Sequence, residues 1–250
     1  MRKFGLIGYP LGHSFSSRFF YEKFRKEQMT DCTYDNYPLT NIVELPLLIS
    51  SDMDLVGLNV TIPYKSEVIG YLDSIKDDAA EIGAVNVLKI KRKGNEFKIS
   101  GFNSDIAGIE GSLLPLLRPD IKKSLVFGTG GSSKAVCYIL KKLSVEYTLV
   151  SRYPKPGCLT YQELNSEILH SHLLIINTTP LGMFPDNSGK PDIDYELLGR
   201  KHVLFDLVYN PPLTMFLRQG KERGAVVQNG LDMLYRQAER SWEIWNDPEF

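Results

Sequence analysis

Leu125-Val126-Phe127-Gly128-Thr129-Gly130-Gly131-Ser132-Ser133-Lys134-Ala135 joins a short apolar run to a glycine cluster and then to the first residues of a helical pattern. A strand that turns through glycines into a helix is the setting of a dinucleotide-binding loop. Without Cβ atoms, backbone N–H groups and the helix N-terminus can close on a pyrophosphate. The match is imperfect, because Ser133 stands where the sixth-position glycine would fall and Gly131 is extra, so a bare glycine turn competes with it. The next strand arbitrates. An NAD site would place Asp or Glu roughly twenty residues on to accept the ribose 2′-OH, whereas a 2′-phosphate calls for a cation. Here Thr148-Leu149-Val150 runs into Ser151-Arg152, with Lys155 nearby and no acid at the tip. That favours NADP, with Arg152 as phosphate clamp and Ser151 as its hydrogen-bonding neighbour; a solvated surface arginine is the bland alternative.

Outward from this loop the apolar pattern alternates between strand and helix. The spacing predicts a helix over Ala135 to Leu143 and strands at Tyr147 to Val150, Leu173 to Asn177, Val203 to Leu207 and Ala225 to Val227. Upstream, Phe4 to Ile7 reads as a strand, and Phe15, Phe19, Phe20 and Phe24 as a helical core stripe with Ser14 or Ser16 as N-cap. Cys32 to Pro38 and Gly57 to Ile62 read as extended; Ile42 to Ile49, Ser66 to Leu72 and Asp77 to Ile82 read as helical. A parallel α/β layer follows. Ala84 to Lys91 and Glu96 to Phe102 flank Arg92-Lys93-Gly94-Asn95 as a hairpin, and a helix runs from Ser104 to before Pro119. The expected organisation is an α/β domain over residues 1–103, a Rossmann-type NADP-binding domain over 104–230, and a terminal amphipathic helix, about 231–250, free to pack back on the first domain.

Composition narrows the partners. The 250 residues are 43% apolar, enough for one large or two modest domains at about 150 residues each. Twenty-nine Lys+Arg against thirty Asp+Glu leave a net charge of −1, so no bulk positive field exists to hold nucleic acid or a membrane surface. No apolar run approaches the ~18 residues of a membrane span, and the N-terminus lacks a signal-peptide core. A cytoplasmic location is expected. Cys32, Cys137 and Cys158 have no CxxC spacing and read as reduced thiols. His13 reads as a loop residue; His170, His172 and His202 lack metal-ligand spacing, His170 and His172 suiting a loop, and no metal is expected. Oligomeric state is left open between monomer and homodimer.

Several apolar stretches carry polar side chains that propensity does not explain. Gly57-Leu58-Asn59-Val60-Thr61-Ile62-Pro63-Tyr64-Lys65 delivers Asn59, Thr61 and Lys65 at a strand end, where open α/β sheets bind ligands. Val85-Asn86-Val87 places an amide in another strand, and Gly101-Phe102-Asn103-Ser104-Asp105 an amide and a carboxylate at the crossing between domains. Each taken singly is a turn or cap residue as readily as a site; together they suggest one.

With these blocks the chain resembles the shikimate dehydrogenases. The resemblance is carried by Gly8-Tyr9-Pro10-Leu11-Gly12-His13-Ser14-Phe15-Ser16, Asn59 to Lys65, Gly83-Ala84-Val85-Asn86, Asn103-Ser104-Asp105 and Gly128-Thr129-Gly130-Gly131. It continues through Ile176-Asn177-Thr178-Thr179-Pro180-Leu181-Gly182-Met183, Asp206-Leu207-Val208-Tyr209-Asn210-Pro211 and Asn229-Gly230-Leu231-Asp232-Met233-Leu234, followed by Gln237. It implies an N-terminal α/β substrate-binding domain (residues 1–103, completed by the C-terminal helix) plus a Rossmann-type NADP-binding domain (104–230), and reversible NADPH-dependent reduction of 3-dehydroshikimate to shikimate, on the way to chorismate and the aromatic amino acids. It further implies that Ser14 and Ser16 hold the substrate carboxylate, and that Thr61, Asn86 and Gln237 meet the ring hydroxyls. Asn59, Asn103 and Tyr209 would lie in the substrate site, with Lys65 and Asp105 as the catalytic pair. Gly128, Thr129, Gly130, Gly131 and Ser132 would take the pyrophosphate, Ser151 and Arg152 the 2′-phosphate, and Thr178, Gly182, Met183 and Gly230 the rest of the cofactor. Which of Lys65 and Asp105 holds the proton at rest is open; a purely structural ion pair is the alternative. Departures are Ser17 for a common Pro, Ser104 for Thr, Asp232 for a frequent Gly and Met215 for Pro; none removes a catalytic group. Two rival functions remain: an NAD-preferring quinate/shikimate dehydrogenase and a catalytically silent nucleotide- or shikimate-binding sensor.

Overall fold

The computed structural model describes residues 1–12, 15–94 and 96–249. His13, Ser14 and the hairpin's Asn95 lie outside the described residues. In chain order the elements are β1 (Arg2–Gly8), α1 (Phe15–Lys26), β2 (Cys32–Pro38), α2 (Leu45–Ser51), β3 (Leu55–Val60), β4 (Ser74–Ile75), α3 (Asp77–Ile82), β5 (Val87–Lys93) and β6 (Glu96–Phe102). They continue as α4 (Asp105–Leu113), β7 (Lys123–Phe127), α5 (Gly131–Lys142), β8 (Glu146–Ser151), β9 (Cys158–Thr160), α6 (Ser166–Ser171), β10 (Leu174–Asn177), β11 (Val203–Asp206), α7 (Met215–Glu222), β12 (Val226–Gln228) and α8 (Leu231–Asn246). Two compact units result: Met1–Asp105 with Tyr235–Phe250, and Ile106–Leu234.

The first unit is built on a sheet ordered β2-β1-β3-β5-β6-β4. It is mixed where the sequence suggests a parallel layer: β1 runs parallel to β2 and β3, but β5 is antiparallel to both β3 and β6. The hairpin accounts for β5 against β6, since a short turn reverses the chain whereas a parallel return needs a crossover; the antiparallel pairing of β5 with β3 is the departure from the expected layer. Side chains alternate across the strands. Ile7 and Leu88 enter one apolar layer with Leu45, Ile49 and Val68, while Phe4 and Val87 enter another with Phe20, Phe24 and Trp245. The last turns of α8 seat in that second layer. Trp245 lies with its ring centroid 4.7 Å from that of Phe4 and donates its indole N–H to the Leu88 carbonyl at 2.9 Å. Buried Lys89 caps the helix end by donating to the carbonyls of Ile244 and Asp247, and burial pulls its ammonium below the ordinary lysine range.

The second unit carries a sheet ordered β12-β11-β10-β7-β8-β9 with every pair parallel. Counted from β7, this is the doubly wound 3-2-1-4-5-6 order, whose direction reverses between β7 and β10. At that switch point the strands end side by side, Phe127 opposite Asn177. The alternation of apolar runs with helices located this sheet, but β9, α6 and α7 were not visible in it: β9 is three residues long, and α6 is a six-residue helix capped by Asn165.

Local boundaries move for identifiable reasons. β3 stops at Val60 and not at Ile62, because the chain turns from Thr61 onward, where Tyr64 N–H donates to the Thr61 carbonyl. Glu67–Tyr71 is a 3₁₀ turn within the stretch predicted as a helix over Ser66 to Leu72. α5 opens at Gly131, ahead of the predicted Ala135, with Gly130 as its cap residue. α1 begins at Phe15, so Ser16 lies inside the first turn and is not the N-cap. His170 sits in α6 and not in a loop, and His172, its C-cap, is buried with its ring between Thr148 and the Ile168 carbonyl. Among the described residues no helix is long and apolar enough to cross a membrane.

Candidate active site

In the first unit, the residues that follow β3 fold into a turn in which Tyr64 N–H donates to the Thr61 carbonyl at 3.0 Å. The buried Tyr64 hydroxyl donates to the Leu39 carbonyl at 2.7 Å, and Val85 N–H donates to the Lys65 carbonyl at 2.7 Å. Fixed on both sides, Lys65 projects its Nζ to within 2.7 Å of Asp105 Oδ2. The pair is only partly open to solvent, with side-chain exposures of 21% for Lys65 and 8% for Asp105. Asp105 is the first residue of α4, where a carboxylate also complements the positive end of the helix dipole. A charge-assisted bond this short holds the ammonium in one place.

Behind the pair lies a buried polar network. Asn86 Nδ2 donates to Asp105 Oδ1 at 2.9 Å, and lies 3.1 Å from Ser104 Oγ and 3.3 Å from Gln237 Oε1. Its Oδ1 accepts the Ser104 N–H at 2.7 Å, which fixes which end of the amide faces the carboxylate. Thus Asn86, Gln237, Lys65 and Asp105, four of the residues singled out from sequence, come together. Thr61, half-buried, belongs to the same turn as Lys65. Asn59 does not share this outlook. It is buried, its Oδ1 accepts from the Tyr34 hydroxyl at 2.9 Å, and its Nδ2 donates to Ser241 Oγ and the Asn86 carbonyl. Both amide hydrogens are used within the protein, so the substrate contact expected of Asn59 becomes a supporting role. Asn103 donates through Nδ2 to the Ala84 carbonyl at 2.9 Å while its Oδ1 is buried without a protein partner, an acceptor left for a ligand or water. Ser16 is half-buried and hydrogen-bonds the Tyr34 phenol, which burial pushes far above its ordinary range. Ser14 lies outside the described residues. Ser17, the departure beside them, donates to Asn36 Oδ1 at 2.7 Å and so ties α1 to β2.

The second unit presents the glycine loop at the switch point. Gly128 has φ +103°, and a Cβ there would meet Thr178 Oγ1 at 2.6 Å, so the backbone requires glycine. Thr178 in turn donates its hydroxyl to the Phe127 carbonyl at 2.6 Å, closing the loop against β10. Over Gly130 and Gly131 there is open space, and no side chain caps the N-terminus of α5. Uncapped N–H groups beneath an unobstructed backbone form a cradle for a phosphate. Ser132 is half-buried in the first turn, while Ser133 is turned away to donate to the Gly130 carbonyl at 2.7 Å. Next door, β8 ends in half-buried Ser151 and exposed Arg152, whose guanidinium lies 6.0 Å from the Tyr153 ring centroid. Exposed Lys155 follows, and the segment from Ser151 to Gly157 contains no acid. The donor set therefore suits an anionic dinucleotide with a further phosphate. Gly182, φ +81°, and exposed Met183 form the turn after β10, and Gly230 packs on Leu207 at the end of β11. Tyr209 is half-buried just beyond that strand.

One group at these strand ends was not anticipated from sequence. Asp206 is fully buried, accepting from Asn177 Nδ2 at 2.9 Å and Val208 N–H at 3.0 Å on Oδ1 and from the Thr214 hydroxyl at 2.6 Å on Oδ2. Burial without a cation pushes its carboxylic acid up to about 6. An Asp at the C-terminal end of an apolar strand was the only available signal.

A family model described as the shikimate dehydrogenase substrate binding domain matches residues 6–88. The shikimate dehydrogenase (NADP(+)) of Methanococcus aeolicus is 35% identical, the alignment covering 96% of this chain and 90% of that protein. Among solved structures, a shikimate dehydrogenase in complex with NADP+ superposes with a TM-score of 0.84 at 31% identity, covering 98% of this chain and 90% of the other. The Thermus thermophilus shikimate 5-dehydrogenase in complex with NADP(H) and shikimate gives 0.84 at 28% identity, with 100% and 96% covered. Sequence blocks, the two sheets and these likenesses over nearly the full length agree: the chain belongs to the shikimate dehydrogenase family.

Proposed function

We propose that this protein catalyses the reversible, NADPH-dependent reduction of 3-dehydroshikimate to shikimate, an oxidoreductase step toward chorismate and the aromatic amino acids. The observation that carries this is the 2.7 Å Lys65–Asp105 pair backed by Asn86 in a family member whose second unit keeps an open glycine cradle and a cationic strand tip. In this proposal Met1–Asp105 with Tyr235–Phe250 binds the substrate and Ile106–Leu234 binds the cofactor. The enzyme works in the cytoplasm on small molecules.

Ser14 and Ser16 offer hydroxyls to the substrate carboxylate, and Thr61, Asn103, Tyr209 and Gln237 offer hydroxyl and amide groups to the ring hydroxyls; Asn86, also expected there, spends its amide hydrogens on Asp105 and Ser104 and so holds the catalytic carboxylate instead. A site of fixed hydroxyls and amides rejects analogues that lack matching groups, because its own polar atoms would be left unpaired. Gly128, Thr129, Gly130, Gly131 and Ser132 hold the pyrophosphate, and Ser151 and Arg152 hold the 2′-phosphate. Thr178, Gly182, Met183 and Gly230 flank the remainder of the cofactor. The chemistry supplied by bound NADPH is a hydride from the nicotinamide ring.

Lys65 holds a proton at Nζ for the C3 oxygen of the substrate. As negative charge grows on that oxygen, the ammonium stabilises it and gives up the proton, while Asp105 keeps Nζ in place and takes part in returning a proton to it. Asn86 anchors the other carboxylate oxygen, so the pair cannot swing apart.

The test is a panel of shikimate, quinate and their 3-dehydro forms against NADP and NAD. Fastest turnover of shikimate with NADP is expected. A clear preference for NAD overturns the cofactor assignment, and ligand binding without turnover makes the protein a sensor.

A further inference from the structure

Ser241, on α8 one turn beyond Gln237, is fully buried and was not visible as a functional residue in the sequence. Its Oγ has three partners: the Gln237 carbonyl at 2.9 Å, Asn59 Nδ2 at 2.9 Å and Ser104 Oγ at 3.1 Å. One hydroxyl carries one proton, and a carbonyl only accepts, so the Ser241 proton goes to Gln237 and both lone pairs accept, from Asn59 and from Ser104. Ser104, also fully buried, spends its own proton on Ser241 and presents a lone pair to Asn86 Nδ2 at 3.1 Å. The amide ends are fixed independently. The Asn86 carbonyl, which only accepts, marks the nitrogen of Asn59, and the Ser104 N–H, which only donates, marks the oxygen of Asn86.

Asn86 Nδ2 has two hydrogens and three acceptors within reach: Asp105 Oδ1 at 2.9 Å, Ser104 Oγ at 3.1 Å and Gln237 Oε1 at 3.3 Å. With the Ser104 lone pair aimed at it, one hydrogen goes to the carboxylate and the other to Ser104, which leaves the Gln237 side chain the most weakly held of the three. Without the Ser241 acceptor, the buried Ser104 proton must turn elsewhere. Its remaining acceptor is Asn86 Oδ1 at 3.4 Å, and the lone pair leaves Nδ2.

We propose that Ser241 is a positioning residue for the reaction: by accepting from Asn59 and Ser104 while donating to the Gln237 carbonyl, it sets the Asn86 amide that holds Asp105 and leaves Gln237 free for the substrate. The kinetic readout rests on the dehydrogenase function proposed above.

Ser241→Ala is expected to lower kcat/KM for shikimate about tenfold, the scale of one lost buried hydrogen bond, with KM for NADP unchanged. Ser241→Thr and Ser241→Val, of equal volume, separate hydroxyl from packing: Thr should recover most of the loss and Val should not. Wild-type kcat/KM in the Ala and Val variants, or equal impairment of Thr and Val, overturns the proposal. Side-chain amide exchange of Asn86, followed by NMR, needs no turnover. It should accelerate in Ser241→Ala; unchanged protection refutes the positioning role even if the wild type proves inactive on shikimate, an outcome that would separately sink the proposed function.

Discussion

Replacing Asp206 by Asn should remove a pH dependence of stability built into the second unit. The carboxyl is pushed up to about 6 from an unfolded value of 3.8 because it is buried among neutral donors. Between those values the unfolded chain has already released its proton while the folded protein keeps it. The folded state therefore binds more protons, and stability falls as pH rises through this window. At about 1.4 kcal/mol per unit, a shift from 3.8 to about 6 is a penalty of about 3 kcal/mol, complete above pH 6 and absent below pH 4. Asn at this position keeps an oxygen for Asn177 and Val208 but turns an N–H toward Thr214, whose hydroxyl proton then lacks the acceptor it has now at 2.6 Å. Loss of that bond costs about 1 kcal/mol, so Asp206→Asn should be more stable than wild type by about 2 kcal/mol at neutral pH and less stable at pH 4. Thermal unfolding of both proteins across this range, with direct titration of the Asp206 carboxyl by 13C NMR, checks it. A carboxyl that titrates near 4, or a wild-type–variant difference that stays flat with pH, would refute the linkage.

Three further outcomes are expected. Lys65→Ala should lower kcat by roughly 10²–10⁴ with a small change in KM for shikimate, the mark of a group that acts in the transition state; steady-state rates of NADP reduction decide, and an effect confined to KM would remove Lys65 from the chemistry. Arg152→Ala should raise KM for NADP by about 10- to 100-fold while leaving KM for NAD unchanged, since a charge-assisted phosphate contact is worth about 1.5–3 kcal/mol; equal effects on both cofactors would mean that the exposed arginine does not meet a 2′-phosphate. Gly230→Ala should destabilise the protein by about 1–3 kcal/mol, because a Cβ would overlap the Leu207 carbonyl; a melting temperature equal to wild type would count against that close approach.

The sequence by itself located most of the second sheet and the glycine loop, and singled out Lys65 and Asp105 as candidate site residues. Apolar runs alternating with helical stretches leave few arrangements once parallel strands and crossovers are required, and glycines at a strand–helix junction serve a local backbone need that neighbours in sequence reveal. Lys65 and Asp105 were legible because a charged group set beside an apolar run is costly unless it has work to do. The antiparallel pairing of β5 with β3, the inward turn of Asn59, the buried Asp206 and the hub at Ser241 were decided only by the tertiary structure. The roles of Asn59 and Ser241 depend on which atom of a polar group meets which partner far away in the chain: Asn59 meets Ser241, and Ser104 meets Ser241, through contacts of long sequence separation. A side chain's residue type shows what hydrogen bonds it can make. Burial and the geometry of its distant partners decide which of them it makes, and therefore whether it faces a substrate or holds another residue that does.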